Sequence, residues 1–323
     1  MAGVLAALAV LAGCRGGRVQ EAPEKVRLAV AQLPHAALVH VAAAEGYFAS
    51  EGIDVTLLRY PFGKPALDAL TGGRADLATC AETPFVLAVL QGRGLAWLGT
   101  IETSTENTVL VARVDAGIAR AAEIAGKRVG IARGTNGEFF LDSLMVRHRV
   151  ARDSVVVFDL KPEEMADALA GGAVDAIAIW SPISGRIQKR LGDGVRTFSA
   201  EDLYFESFGL VGTPELVNVH PDRVEKVLRA LLRAESFVRS HPDRARSIVA
   251  REAGLDPEEV AAIWKVFAFQ LRLDQSLLPL MEEEARWAIR SRLVPPQETP
   301  NFLRSVAVEP LRTVNRDAVT VMR

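Results

Sequence analysis

Cysteine is nearly absent. The 323-residue chain has two, Cys14 and Cys80, too few for a disulfide scaffold or for a zinc or iron–sulfur site built on several thiolates. Basic residues are not in excess either. Lys plus Arg number 38 against 40 Asp plus Glu, a formal net charge of -2, so no bulk positive charge is present to hold nucleic acid. The common catalytic and nucleotide motifs are missing: there is no Gly-x-x-x-x-Gly-Lys, Gly-x-Gly-x-x-Gly, His-Glu-x-x-His or Gly-x-Ser-x-Gly. The histidines, at 35, 40, 148, 220 and 241, show no metal-ligand spacing, and no cofactor is expected. What is present is ordinary globular material, 49% hydrophobic and 24% charged, which excludes a disordered or collagen-like chain. The length suits two domains.

Residues 1–13 (MAGVLAALAVLAG) carry no charge. A helix of that length rises about 20 Å, short of a bilayer core of roughly 30 Å, and matches the apolar part of a signal peptide. Leu11-Ala12-Gly13-Cys14 then resembles a bacterial lipobox, in which the cysteine is lipidated and becomes the mature N-terminus. No Lys or Arg precedes the run, a departure that a start codon assigned too far downstream would explain. Residues 15–25 read as a flexible tether. With lipid on Cys14, Cys80 has no intrachain partner and lies in an apolar strand, as an inert thiol does.

The chain repeats itself. Arg27-Leu28-Ala29-Val30-Ala31 ends at Gln32-Leu33-Pro34-His35, and Arg128-Val129-Gly130-Ile131-Ala132 ends at Arg133-Gly134-Thr135-Asn136. Each reads as a buried strand, a turn and a helix, the helices over 37–50 and 137–149. Strand-like stretches at 53–57 and 155–158 follow. Asp68-Ala69-Leu70-Thr71-Gly72-Gly73-Arg74-Ala75-Asp76 is then matched 99 positions on by Asp167-Ala168-Leu169-Ala170-Gly171-Gly172-Ala173-Val174-Asp175. In both, a helix stops at a double glycine and an Asp leads into a strand. Those strands, 77–81 and 176–180, run into Glu82-Thr83-Pro84 and Ser181-Pro182.

Strand–helix alternation of this kind predicts an α/β fold with a parallel sheet in each half. Ligands of open α/β sheets sit beyond the carboxyl ends of the strands. The turns at His35, Glu82-Thr83, Gly134-Thr135-Asn136 and Trp180-Ser181 are therefore expected to face one another across a cleft. Residues 102–113 and 204–211 read as crossings between the lobes, the two strands of a hinge. The last third is helical, with helices opening at His220-Pro221-Asp222, Pro242-Asp243 and Asp256-Pro257 and another over 277–292. The expected organisation is a leader and lipidated cysteine (1–14), a tether (15–25), a first lobe (26–107 and 212–323) and a second lobe (108–211).

The pattern resembles the solute-binding proteins of ABC importers for nitrate, sulfonates, taurine and thiamine-precursor pyrimidines. The residues that carry it are Glu45-Gly46-Tyr47-Phe48 with Glu51-Gly52-Ile53-Asp54-Val55, the 66–76 helix with Glu82-Thr83-Pro84, Gly126-Lys127-Arg128-Val129-Gly130 through Gly134-Thr135, the 168–180 stretch, and Ala285-Arg286-Trp287 with Asn301-Phe302. The resemblance implies a two-lobed type II periplasmic-binding fold, each lobe a mostly parallel sheet flanked by helices. It implies a permease and ATPase as partners, and together with the lipobox the expected protein is a monomer, lipid-anchored in the periplasm or at the cell surface, that closes on a small polar solute and delivers it without catalysis. Thiamine-pyrimidine synthases and menaquinone-pathway enzymes look like the same fold and are the rival reading. The synthases carry a cysteine-rich motif that Cys80 alone does not reproduce.

The candidate ligand contacts follow from the strand tips. Gly134, Thr135 and Asn136 precede a helix whose amides and dipole suit an anion, unless Thr135 or Asn136 caps the helix instead. Thr83 before Pro84 offers the same in the other lobe. Trp180 offers a flat apolar face, with Phe62 beside the opening. Glu82 and Glu206 suit an amine or heterocyclic donor, or else surface ion pairs, and His35 offers a hydrogen bond. A sulfonate, nitrate, zwitterion or pyrimidine remains open at this level.

Overall fold

The computed structural model describes residues 23–199 and 203–322; the leader, Cys14 and nearly all of the tether lie outside them. Strand β1 (Glu24–Ala31) already begins inside the stretch read as tether. Glu24 is held there by the Arg223 guanidinium at 2.9 Å and by the Lys226 ammonium. The other strands, in chain order, are β2 (Ile53–Tyr60), β3 (Leu77–Ala81), β4 (Ala96–Ser104), β5 (Thr108–Arg113), β6 (Arg128–Ile131), β7 (Val156–Asp159), β8 (Ala176–Trp180), β9 (Val195–Phe198) and β10 (Glu206–Gly212).

They form two five-stranded sheets of one topology, β2-β1-β3-β10-β4 and β7-β6-β8-β5-β9. In the first, β1 runs parallel to β2 and β3, while β10 is antiparallel to β3 and β4. In the second, β6 runs parallel to β7 and β8, while β5 is antiparallel to β8 and β9. Each sheet is therefore mixed, with parallel pairing confined to the repeated β–α–β part.

The duplicated Gly-Gly-x-x-Asp stretches have the same job in both lobes. Asp76 accepts from the Arg27 amide at 2.8 Å and from its guanidinium at 2.7 Å. Asp175 does the same for Arg128, at 2.9 and 2.7 Å. Each carboxylate ties the start of one parallel strand to the turn leading into its neighbour. The expected 37–50 helix is two pieces, Ala37–Ala44 and Tyr47–Ser50, because Gly46 takes a left-handed φ of +70° and stops the first.

One boundary moves. Residues 206–211, expected within the second lobe, are strand β10 of the first sheet, wedged between β3 and β4. The reason is packing. Phe208-Gly209-Leu210-Val211 is buried throughout, as suits a strand covered on both faces. A Cβ on Gly209 would lie 2.1 Å from Cζ2 of the fully buried Trp97, so only glycine lets β10 pass the indole.

The C-terminal helices complete the first lobe. Pro221–Ser240 and Pro242–Ala253 pack on the Ala37–Ala44 helix, and Leu277–Arg290 packs on the Glu82–Leu90 helix. Proline stands in the first turn of the helices at 221, 242 and 257, where its missing N–H costs nothing.

His40, on the Ala37–Ala44 helix, is completely buried. Burial pushes its pKa from 6.5 down to about 4. The unfolded chain then takes up a proton as pH falls through 6.5 that the folded chain refuses until about 4, so the stability held above 6.5 drains away across that window. His40→Leu should remove the drain. The difference in unfolding free energy between wild type and variant should shift by about 3 kcal/mol from pH 7.5 to pH 4, read from urea melts at each pH. A constant difference would show that the imidazole does not titrate this way.

Candidate functional site

The strand tips of both lobes meet. β1 ends at the Pro34–Ala36 turn carrying His35, β2 at Phe62, and β3 at the Glu82–Leu90 helix. From the second lobe, β6 leads through Gly134 and Thr135 into the Asn136–Arg147 helix, and β8 ends at Trp180. Between them lies a chamber of only about 20 Å³, lined among others by His35, Phe62, Thr135, Asn136, Trp180 and Glu206. That is room for a single water. A wider groove of about 460 Å³ opens beside it, between Pro61, Phe62, Lys64 and Pro65 on one side and Arg133, Leu160 and Lys161 on the other.

The lobes are held shut across this gap. The Phe62 and Trp180 rings meet at a tilt of 51°, centroids 5.8 Å apart. On one flank Arg186 of the second lobe grips Glu259 of the first through Nε and Nη2 at 2.9 and 2.7 Å. On the other, the Trp287 indole N–H donates to Asp142, and the Phe139 ring meets the Trp287 ring edge-on at 5.2 Å.

Glu206 is the hub. Its carboxylate accepts from Asn107 Nδ2 at 3.0 Å to each oxygen, from Thr108 Oγ1 at 2.8 Å and from Asn136 Nδ2 at 2.8 Å. His35 Nε2 lies 3.2 Å from Oε1. Burial by itself would raise the Glu206 pKa, but the contacts to His35, Asn107 and Thr108 outweigh it and hold the group below the usual carboxylate range. The carboxylate is thus an internal anion, shared between β10 of the first sheet and the β5 and β6 ends of the second. Asn107, in the crossing between β4 and β5, also accepts from the Ser181 amide at 3.1 Å, and its Nδ2 lies 2.8 Å from His35 Nε2.

Three expected contacts sit elsewhere. Glu82 is fully buried behind the chamber, accepting from the Tyr204 hydroxyl and from the Ser207 amide at 2.8 Å. Burial, then the charge on Glu206, pushes it up to about 8. Thr83 donates to Glu284 at 2.6 Å, and is a buried tie between two helices rather than an anion contact. Gly134, at φ +71°, lines a separate hollow of about 140 Å³, and its amide donates to the Glu138 carboxylate at 2.8 Å. A side chain of the same helix therefore already occupies part of the amide site proposed for an anion. Neither Thr135 nor Asn136 caps that helix through its side chain. Thr135 Oγ1 donates to the Ala132 carbonyl at 2.7 Å, and Asn136 turns to Thr108 and Glu206.

Sequence reasoning missed Asn107, Thr108, Glu102 and Tyr204. Asn107 and Thr108 stand in the polar crossing already read as a hinge, and that is the signal that marks them. Glu102 had none. It sits on β4 with no exposure, and burial, then Glu206 and Glu82, pushes its pKa well above the usual range. Cys80 on β3 is equally buried, which raises its thiol pKa and leaves it unreactive.

A family model described as NMT1/THI5 like matches residues 33–245. The chain is 24% identical over 222 residues to a putative aliphatic sulfonates-binding protein of Bacillus subtilis strain 168, covering 68% of this chain and 67% of that one. Among solved structures it is similar to the alkanesulfonate-binding protein SsuA from Xanthomonas axonopodis pv. citri bound to MOPS, with a TM-score of 0.76 at 19% identity over 88% of this chain and 98% of that one. It is also similar to the desulfurization enzyme DSZB, with a TM-score of 0.66 at 21% identity over 91% of this chain and 99% of the other. These likenesses place the two lobes in the periplasmic-binding fold.

Proposed function

The chain belongs to the NMT1/THI5-like family, and from that premise we propose that it is the solute receptor of an ABC importer, anchored outside the cytoplasm by lipid on Cys14. The observation that carries the reading is the placement of the chamber. It lies at the facing strand tips of two lobes joined by two crossings, and the contacts holding it shut are side-chain contacts that a hinge can break and remake. A chamber of about 20 Å³ admits a solute only after the lobes part. Capture then comes from desolvated hydrogen bonds and closure, with no chemical step.

Three features favour a flat, pyrimidine-like solute over a small anion such as a sulfonate or nitrate. The hub of the chamber is itself an anion, Glu206, and the Gly134 amide is taken by Glu138. The Phe62 and Trp180 rings form the apolar pair that a planar ring would enter. The fully buried Cys80 offers no thiolate, which argues against an enzyme with a thiol nucleophile.

A thermal-shift screen of aminopyrimidines, taurine, MOPS, nitrate and aromatic acids tests this. A ligand at a hundredfold its Kd should add about 2.7 kcal/mol of stability. The expected result is stabilisation by a pyrimidine, weakened about tenfold in Kd by Phe62→Ala. Stabilisation by the sulfonates alone would overturn the solute class. Turnover of any of these compounds would overturn the receptor reading itself.

A further inference from the structure

The geometry points to a buried divalent-cation site formed by His35, Glu102 and Glu206, which rests on side-chain placement and not on the identity of the transported solute. One ligand-capable atom from each residue lies within 4.8 Å of the other two. The three residues are 1%, 0% and 2% exposed. They come from three distant segments. His35 follows β1, Glu102 lies on β4 and Glu206 opens β10, and they converge because β10 is inserted beside β4 with Phe208 opposite Glu102.

Hydrogen bonding within the protein does not account for this cluster. Neither carboxyl oxygen of Glu102 has a partner, and Nδ1 of His35 has none. A polar group buried without a partner is costly, and native interiors supply one. The other buried carboxyl pair nearby differs. Both oxygens of Glu82 are bonded, to Tyr204 and Ser207, and Glu284 is bonded to Thr83 through Oε1, so that of these four oxygens only Glu284 Oε2 lacks a partner. Glu206 already meets donors from Asn107, Thr108 and Asn136, so the unpartnered groups of the cluster are the Glu102 carboxyl and His35 Nδ1. Asn107 Nδ2 donates to both oxygens of Glu206 and lies 2.8 Å from His35 Nε2, which itself stands 3.2 Å from Glu206 Oε1. The imidazole is also held in place from the apolar side, its ring 5.1 Å from that of Phe208 and 4.8 Å from that of Phe267.

One imidazole and two carboxylates are a donor set for Zn²⁺, and for Mn²⁺ more weakly. The site adjoins the chamber, since His35 and Glu206 line it.

The test is isothermal titration of EDTA-treated protein with zinc chloride, and with magnesium chloride in parallel. One Zn²⁺ per chain is expected, with Mg²⁺ weaker by at least tenfold. Glu102→Gln, which keeps the shape of the side chain, should weaken Zn²⁺ at least tenfold, and His35→Gln likewise. Glu284→Gln, equally buried but outside the cluster, should leave Zn²⁺ affinity unchanged. Melting curves of each variant confirm the fold. Zn²⁺ affinity unaltered in folded Glu102→Gln, or no titratable Zn²⁺ at all, would overturn the site. Neither outcome bears on whether pyrimidines stabilise the protein, so this inference and the receptor reading fail independently.

Discussion

Glu206→Ala should cost about 3–5 kcal/mol of stability and part the two lobes. The carboxylate gathers donors from Asn107, Thr108 and Asn136 and stands against His35. Removing it takes the acceptor from the buried Thr108 hydroxyl and leaves Asn136 only its bond to Thr108, and the second-lobe donors Thr108 and Asn136 lose their tie to β10. Unfolding in urea should show a lower midpoint, and small-angle scattering should show a larger radius of gyration. Glu206→Gln should fall between. Its amide keeps the shape, but presents a donor where Thr108 or Asn136 also donates. An unchanged midpoint together with an unchanged radius would mean that the hub is not what holds the cleft shut.

Trp97→Ala should be at least as damaging, at about 3–5 kcal/mol. Trp97 has no exposure, meets the Phe85 ring edge-on at 5.2 Å and donates from its indole to Thr100 at 3.2 Å. Its truncation opens a cavity against β10. The converse change, Gly209→Ala, drives a methyl into the indole and should cost roughly 1–3 kcal/mol or more. Because the two residues share one volume, their effects should not add. Gly209→Ala should be milder in a Trp97→Leu background than in the wild type, by about 1 kcal/mol in a double-mutant cycle. Strict additivity would show that the two do not compete for that space.

The strand tips were legible because period and turn chemistry mark them. His35, Thr135, Asn136 and Trp180 were read as cleft residues from their place at strand tips, Phe62 and Glu206 as groups near the same opening, and all line the chamber. The duplication at 68–76 and 167–175 was visible residue by residue, and its physical basis is the Asp–Arg tie at the strand starts. Strand order was not legible. Nothing in the Phe208–Val211 run says that it pairs with β3 and β4 across more than a hundred residues, so the lobe boundary was drawn too late. The same gap hid Glu102, whose neighbours are set by that pairing. Glu82 and Thr83 were read as tip residues correctly by position, but helix geometry turns both away from the chamber and toward Tyr204 and Glu284. The histidine spacing gave no hint of a cation cluster, since its members arrive from three separate segments.

The wedged position of β10 orders events during synthesis. The strands of the second sheet all fall within Thr108–Phe198, a contiguous stretch that can assemble as soon as it leaves the ribosome. The first sheet has to wait. Until Glu206–Gly212 is made, β3 and β4 are bare edges facing an unfilled slot, the kind of template on which another chain can dock. The nascent protein is therefore most prone to aggregate in the interval between completing β4 and receiving a single seven-residue strand.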